Sequence, residues 1–238
     1  MQAAPCRLVK KQSDINALDH FAGQWEPIVV NHNHVEDALR IISKEARFEL
    51  KELDLEPEFH SLGFFRRCNA YDTKRRRIIL HSKFVYCKYL EVFEELPTDS
   101  NIFQLNGHSL EFTEFSYLHI VFRHYAQIIK QTAKPDKSYH NEDFTPNNII
   151  PKLGNLIADI EQSGVYVGQD IKVLNFQYNG VDYRIYINQR NRSIRGVGSV
   201  PYWRIETFFP VEDPEFRADI IQNYVRMPIN DILSVYTK

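Results

Sequence analysis

Apolar residues recur at a helical spacing in three parts of the chain, residues 37–53, 118–130 and 145–164. In the second part the apolar stripe consists of Leu118, Val121, Phe122, Tyr125, Ile128 and Ile129. Side chains three and four residues apart lie on one side of a helix, so each part is predicted to be an amphipathic helix. The third helix is expected to end at Ser163-Gly164, because glycine is favoured just after the last helical turn.

From Asp170 onward the apolar residues alternate with polar ones, which is typical of β-strands. We predict strands over residues 171–178, 181–188, 192–199 and 204–211, with a turn at 189–191. Asn179-Gly180 predicts a tight hairpin between the first two strands, because both central residues of a type I′ turn need a positive φ. The C-terminal part is therefore expected to be an antiparallel meander of three to four strands, followed at 213–228 by a short helix or an irregular tail.

The first hundred residues are predicted to be a separate subdomain. Residues 63–96 alternate aromatic and basic residues around the sequence YDTKRRR, which predicts a β-hairpin after the helix at 37–53. Residues 97–107 and 132–148 are polar and lack periodicity, so a loop is expected in each. The predicted fold class is α+β: an N-terminal α+β subdomain, residues 1–100, and a C-terminal domain, residues 105–238, whose helices pack on the meander.

Length and composition limit the classes of protein that fit. The chain has 238 residues, 43% of them hydrophobic, which is enough for a buried core. It has no apolar run of the roughly 18 residues that a membrane helix needs and no signal-peptide pattern, so a cytoplasmic protein without a membrane partner is expected. Three cysteines without paired spacing argue against a disulfide framework and against a cysteine metal site.

Charge is uneven along the chain, although 29 Lys and Arg nearly balance 31 Asp and Glu. Residues 66–88 contain eight basic residues and one acidic residue, and residues 172–204 contain six basic residues and one acidic residue. Solvated strand faces explain these two basic stretches as well as a groove for nucleic acid does.

Two histidines, His119 and His124, lie on either side of Arg123 in the predicted helix 118–130. At about 100° per residue, Arg123 faces away from the apolar stripe and the two imidazoles lie on its borders, about 140° apart. Metal sites on one helix use ligands at i and i+4, so this pair is not expected to bind a metal. An imidazole that titrates near neutrality suits acid–base catalysis, while the commoner role of such a residue is a solvated surface position.

The helix with HIVFRH, the later helix and the meander ending in WRIETFFPV resemble the barnase/EndoU/colicin/RelE-like (BECR) nuclease superfamily over residues 105–212. The resemblance implies a toxin or effector ribonuclease of polymorphic or phage-encoded systems. Such an enzyme cuts RNA without a metal or cofactor, by attack of the ribose 2′-hydroxyl, and leaves a 2′,3′-cyclic phosphate. Its implied partners are an RNA substrate and a cognate immunity protein.

The resemblance also implies roles for particular residues. His119 or His124 matches the helix-borne histidine, and Thr207 matches a hydroxyl of the final strand. Strand alternation puts Thr207 on the same face as Ile205 and Phe209. The glutamate, arginine and histidine order of the barnase type is not found, and the first hundred residues are not covered.

Cationic and aromatic residues complete the expected site. Arg123 and Arg195 join the catalytic set, and the glycines after Arg195 would let a phosphate approach the backbone. Substrate binding is expected from three cations and from four aromatic residues that would stack on unpaired bases: Lys172, Arg192, Arg204, Tyr183, Tyr186, Tyr202 and Trp203.

Two other classes of protein fit the same sequence. A non-catalytic nucleic-acid-binding module would use both basic stretches as a groove, and its binding would weaken with salt. A protein-interaction domain, such as a toxin neutraliser or an adaptor, would line an interface with some of the 13 tyrosines and 16 phenylalanines. Incubating RNA with the protein in excess EDTA separates the three classes by cleavage, by a shift without cleavage, or by neither.

Overall fold

A computed structural model describes residues 12–57, 64–125 and 138–238, except for the side chains of residues 12–18 and 64–69. The described residues divide into an N-terminal unit, up to Glu91 together with Tyr125, and a C-terminal unit, which contains Val92–His124 and residues 138–238. Helices precede a mostly antiparallel sheet, so the predicted α+β class is confirmed. In the described part of the chain, each helix is too short or too polar to cross a membrane.

The N-terminal unit is helical in its described residues. It contains α1, Gln12–Val30, α2, Asp37–Asp54, and most of α3, Phe64–Glu94. The helix predicted at 37–53 is confirmed, but the hairpin predicted at 63–96 is wrong, because Phe64–Glu94 is one helix. Ile78, Ser82, Val85 and Tyr89 are buried at intervals of four, three and four residues, which a helix and not a strand brings to one side.

The basic residues of α3 are paired with carboxylates inside the N-terminal unit. Arg75 pairs with Glu26, Arg76 with Asp19 at 3.0 Å, and Lys74 with Glu56 at 2.6 Å. The basic stretch at 66–88 is therefore partly neutralised by the helices around it.

Seven strands form the sheet of the C-terminal unit, in the order β1-β2-β5-β4-β3-β7-β6. The strands are β1, Ile102–Leu105; β2, His108–Glu111; β3, Val173–Tyr178; β4, Val181–Ile194; β5, Gly198–Pro210; β6, Val225–Pro228; and β7, Leu233–Thr237. Asn179 and Gly180 have φ of 49° and 76°, as the predicted hairpin requires. Asn106 and Gly107 form a second such turn, with φ of 55° and 77°, where a loop was predicted.

The meander departs from the sequence prediction at two places. The turn predicted at 189–191 is wrong, because β4 continues through these residues to Ile194. The turn lies at 195–197, before β5. Residues 225–228 and 233–237 form two further strands, β6 and β7, of which β7 pairs with β3.

Three helices of the C-terminal unit are described: α4, Glu114–His124, α5, Ile149–Ser163, and α6, Pro214–Asn223. The third predicted helix is confirmed, and it ends at Gly164 with a φ of 68°. The helix predicted at 118–130 is confirmed as far as His124, and residues 126–130 lie outside the described residues. Of the loop predicted at 132–148, only residues 138–148 are described; they form turns around the buried Phe144.

Close packing of α5 on β1 depends on Gly154. A Cβ at this position would lie 2.8 Å from Cε1 of the buried Phe103 ring. Gly154→Val is therefore expected to lower the free energy of unfolding by about 2–3 kcal/mol, the usual cost of overpacking. Asn155→Val, at the exposed next position of α5, should cost less than about 1 kcal/mol, since it changes only helix propensity. Equal losses in urea denaturation would contradict this packing.

Candidate functional site

The open edge of β5 determines where the candidate site forms. β2 pairs with β5 only at Trp203 and Arg204, and among the described residues no other strand lies on that side of Ile205 to Pro210. Side chains bind its carbonyl groups instead: the Ser116 hydroxyl donates to Ile205 O at 2.5 Å, and His140 Nε2 donates to Phe208 O at 2.9 Å. Buried carbonyls need such partners, so α4 and residue 140 lie along the edge.

His124 and Thr207 meet at this edge. Ser116, Ile120 and His124 are four residues apart in α4, which puts all three on the side of the helix facing β5. His124 Nε2 lies 3.2 Å from Thr207 Oγ1, and His124 Nδ1 lies 3.0 Å from Ser138 O. A carbonyl only accepts hydrogen bonds, so Nδ1 carries a proton and, in the neutral ring, Nε2 accepts from the Thr207 hydroxyl.

A β-bulge at Glu206 sets the direction of Thr207. Tyr186 faces Thr207 and Ile187 faces Ile205, which leaves Glu206 as an extra residue without a partner. Ile205 therefore points to the buried face of the sheet, while Thr207 points to the other face. The prediction that Ile205 and Thr207 share a face is wrong, because the extra residue breaks the alternation.

We call the sheet side that carries Arg184, Tyr186, Arg190, Arg204 and Thr207 the arginine face. These residues share it because alternate residues of β4 lie on one side and their cross-strand partners on β5 lie with them. On the arginine face, the Phe209 ring contacts both α4 and α6. Its centre lies 5.2 Å from that of His124 in α4 and 6.1 Å from that of Phe216 in α6.

Arg184 is the buried cation of the arginine face, with 4% of its surface exposed. Its Nε donates to Asn175 Oδ1 at 2.7 Å, its Nη2 to Asp219 Oδ2 at 2.6 Å, and its Nη1 to the Tyr186 hydroxyl at 3.4 Å. The guanidinium also lies 4.9 Å from the Phe216 ring centre. Arg184 therefore ties α6 to the sheet and fixes the Tyr186 hydroxyl two positions along β4.

Glu206 holds two other arginines of the same face. It accepts from Arg190 Nε at 2.7 Å and from Arg204 Nε and Nη2 at 3.0 and 2.8 Å. Burial raises the pKa of this carboxyl, but the hydrogen bonds from Arg190 and Arg204 outweigh burial and hold its pKa below the usual range. The bulge carboxylate therefore stays ionised and orients both guanidinium groups.

His119 lies next to the Glu206 cluster. Its ring stacks on Phe115 at 5.4 Å, and the Arg204 guanidinium carbon lies 4.0 Å from the centre of the Phe115 ring. Sequence reasoning missed both Glu206 and Arg184. No local signal marks Glu206, because its role follows from the bulge; the only signal for Arg184 was its polar character in an otherwise apolar stretch of β4.

Arg192 and Arg195 lie farther along the arms of β4 and β5. Arg192 pairs with Glu111 and covers the Tyr202 ring at 4.1 Å. Arg195 is exposed in the turn between the strands, nine residues from Thr207 when counted from Gly198. At about 3.3 Å per residue this is about 30 Å, so the structure does not bring Arg195 together with Thr207 and His124.

The remaining predicted residues are spread over the unit. Tyr183 is wholly buried against Phe176 and Phe208, so its ring offers no surface to a base, and that prediction is wrong. Trp203 lies on the face opposite Arg204 and contacts His108 at 5.5 Å. Lys172 is exposed just before β3, and Arg123 is half-buried in the last turn of α4.

Comparisons with known proteins add no candidate. A scan against protein-family models, a search of curated proteins and a search of solved structures each gave no match. Within the described ranges, no group of three His, Cys, Asp or Glu is placed to hold a metal ion. The assignment of the site therefore depends on the geometry described above.

His140 provides a test of this geometry through the pH dependence of stability. Its ring is packed against Phe208, Tyr183 and Phe144, and burial, assisted by nearby His124, lowers its pKa to about 3. An unfolded histidine titrates near 6.5, so between these pH values the unfolded chain binds one proton that the native protein does not. This contribution is complete above about pH 6.5 and is lost as the pH falls towards 3, by at most about 1.4 kcal/mol per pH unit.

His140→Phe keeps an aromatic ring and removes the titration. Between about pH 4 and pH 6, the unfolding free energy of the variant should therefore change less steeply with pH than that of the unaltered protein. The difference in slope should correspond to about one proton fewer bound on unfolding. The comparison uses slopes, so a general loss of stability in the variant does not affect it. Parallel slopes from urea denaturation would show that His140 is not held neutral by burial.

Proposed function

We propose that the C-terminal unit is a metal-independent endoribonuclease that cuts RNA by attack of the ribose 2′-hydroxyl on the adjacent phosphate. The observation that carries the proposal is the contact between His124 and Thr207, which are 83 residues apart in the sequence and 3.2 Å apart in the fold. Ser138 O fixes the imidazole through Nδ1 and leaves Nε2 facing the hydroxyl. A base that is oriented by a second group is typical of catalytic proton-transfer sites.

The chemistry needs two proton transfers and stabilisation of negative charge. A base takes the proton of the 2′-hydroxyl as O2′ bonds to phosphorus, and an acid gives a proton to O5′ as the bond between phosphorus and O5′ breaks. We assign one transfer to His124 Nε2. His119, beside Phe115 and Arg204, is the candidate for the other. The products are a 2′,3′-cyclic phosphate and a free 5′-hydroxyl.

Thr207 and the Glu206 cluster supply the groups that bind the phosphate. The Thr207 hydroxyl would turn from His124 to donate to a phosphate oxygen once substrate is bound. Arg190 and Arg204 lie on the same face within a few residues, and their orientation is already fixed by Glu206. Preorganised donors of this kind stabilise the developing charge without moving during the reaction.

The nucleic-acid-binding alternative loses part of its support. It needed a groove built from both basic stretches, but three basic residues of the stretch at 66–88 are paired with Glu26, Asp19 and Glu56 within its own unit. The stretch at 172–204 remains, and it lies in the unit that carries His124 and Thr207. This favours an RNA enzyme over a module that only binds.

The test measures RNA cleavage by the full chain in excess EDTA, with the ends of the products identified. His124→Gln should slow cleavage by about 10² to 10⁴, the usual effect of losing a positioned acid or base. His108→Gln is the matched control, since His108 is exposed on β2, and it should cut at the unaltered rate. A loss of the pH dependence of kcat in a folded His119→Ala protein would support its assigned role.

Thr207 is tested by a pair of substitutions that differ in the hydroxyl group. Thr207→Val keeps the shape and removes the donor, and it should slow cleavage by about 10² or more. Thr207→Ser keeps the donor and should cut within about tenfold of the unaltered protein. Full activity of both Thr207→Val and His124→Gln would rule out this site, and absence of cyclic-phosphate products would rule out the reaction.

A further inference from the structure

The ends of β4 and β5 form a two-stranded ribbon that projects beyond the rest of the sheet. The two strands stay paired from Asn188 with Arg204 to Ile194 with Gly198. The neighbouring strands end before this region: β3 pairs with β4 no farther than Tyr186, and β2 reaches β5 only at Trp203 and Arg204. Within residues 188–201, each residue is exposed except the half-buried Val200. A ribbon with two solvent-facing sides contributes little to a core, so its side chains are available for binding.

The composition of the ribbon is that of a nucleic-acid contact. Between Tyr183 and Ile205 the chain has five arginines and no acidic residue. Glu206 and Glu111, from outside this segment, pair with Arg190 and Arg192, and the exposed Arg195 lies at the turn. The surface therefore stays net positive. Its other polar residues are uncharged amides and hydroxyls: Asn188, Gln189, Asn191, Ser193 and Ser199.

The kind of nucleic acid follows from what the ribbon lacks. Single strands are held by aromatic side chains on which the bases stack, but residues 188–201 contain no aromatic residue. The adjacent Tyr202 ring is covered by the Arg192 guanidinium at 4.1 Å. Double-stranded RNA is recognised through phosphates and 2′-hydroxyls in its wide, shallow minor groove. Guanidinium, amide and hydroxyl groups are the donors that such contacts need.

A protein partner fits the ribbon less well. The centre of a protein interface is rich in aromatic residues and poor in charged ones. The ribbon has three arginines, and its exposed large apolar side chains are Ile194 and Val197 at the tip. Two such side chains are too few to form the centre of an interface.

We infer that the ribbon of residues 188–201 binds the duplex stem of a structured RNA. This inference rests on the proposed function and names its substrate class: an RNA in which a stem lies beside the unpaired nucleotide that is cut. The turn of the ribbon is about 30 Å from Thr207, counted as nine residues of an extended strand. One stem can therefore contact the ribbon while its unpaired end reaches His124.

The first experiment measures binding of the full chain to a fluorescent RNA hairpin and to a single strand of equal length that cannot pair. His124→Gln is used as the background so that cleavage is slow compared with the binding measurement. The hairpin should bind at least about tenfold more tightly than the single strand. Arg195→Glu should remove most of this preference and lower the salt dependence by about one counterion or more. Arg226→Glu, at an exposed position of the edge strand β6, is the matched control and should keep the preference.

A shortened ribbon provides a second variant. Replacing residues 191–201 by Asn-Gly joins Arg190 to Tyr202, which face each other across the strands, by a tight hairpin turn. This protein should lose the hairpin preference, and with His124 restored it should still cut single-stranded RNA. Equal binding of hairpin and single strand by the starting protein, or a preference that survives in both variants, would overturn the inference. Equal affinity for a DNA duplex of the same sequence would overturn the part that concerns RNA.

The inference and the proposed function fail in different ways. If the chain prefers hairpins through the ribbon but cuts no RNA, the ribbon assignment stands and the nuclease proposal falls. If it cuts RNA through His124 with no preference for stems, the nuclease proposal stands and the ribbon assignment falls.

Discussion

The open edge of β5 is the constraint on which the C-terminal unit depends. Beyond Arg204, the described strands pair with β5 on one side only, which leaves carbonyl groups that need hydrogen bonds; Ser116 and His140 provide them at Ile205 and Phe208. Once the Ser116 hydroxyl is bound, α4 must run along the strand, and the residue two turns later, His124, reaches Thr207. The candidate site is thus a consequence of how the fold covers an edge.

The bulge at Glu206 is the second geometric step, and it links structure to chemistry. Without the extra residue, Thr207 would follow Ile205 to the buried face and the hydroxyl could not meet the arginines. With it, the hydroxyl faces outward, and the bulge residue itself is a carboxylate that orients Arg190 and Arg204. Bulges commonly redirect side chains beside functional sites, which agrees with the placement of the proposed site.

The sequence predicted the elements whose structure depends on the conformation of a few neighbouring residues. The hairpin turn at Asn179-Gly180 and the end of the helix at Gly164 depend on positive φ values that few residues adopt, so both could be predicted from the residue types. The helix α3 was misread because aromatic and basic residues alternate by chance over a segment whose buried residues have a helical period. The bulge, the role of His140 and the pairing of β7 with β3 depend on partners distant in the sequence, and no single stretch carries that information.

Two imidazoles lie side by side at this edge, and their surroundings decide which of them can carry a proton. The His124 and His140 ring centres are 6.1 Å apart, and a proton on one opposes a proton on the other. Burial holds His140 neutral with a pKa of about 3, and its Nε2 proton is already given to Phe208 O. His124 is half-buried instead, and its Nε2 contacts the Thr207 hydroxyl. Because burial keeps His140 neutral, the proposed proton transfer is assigned to His124 and not to His140.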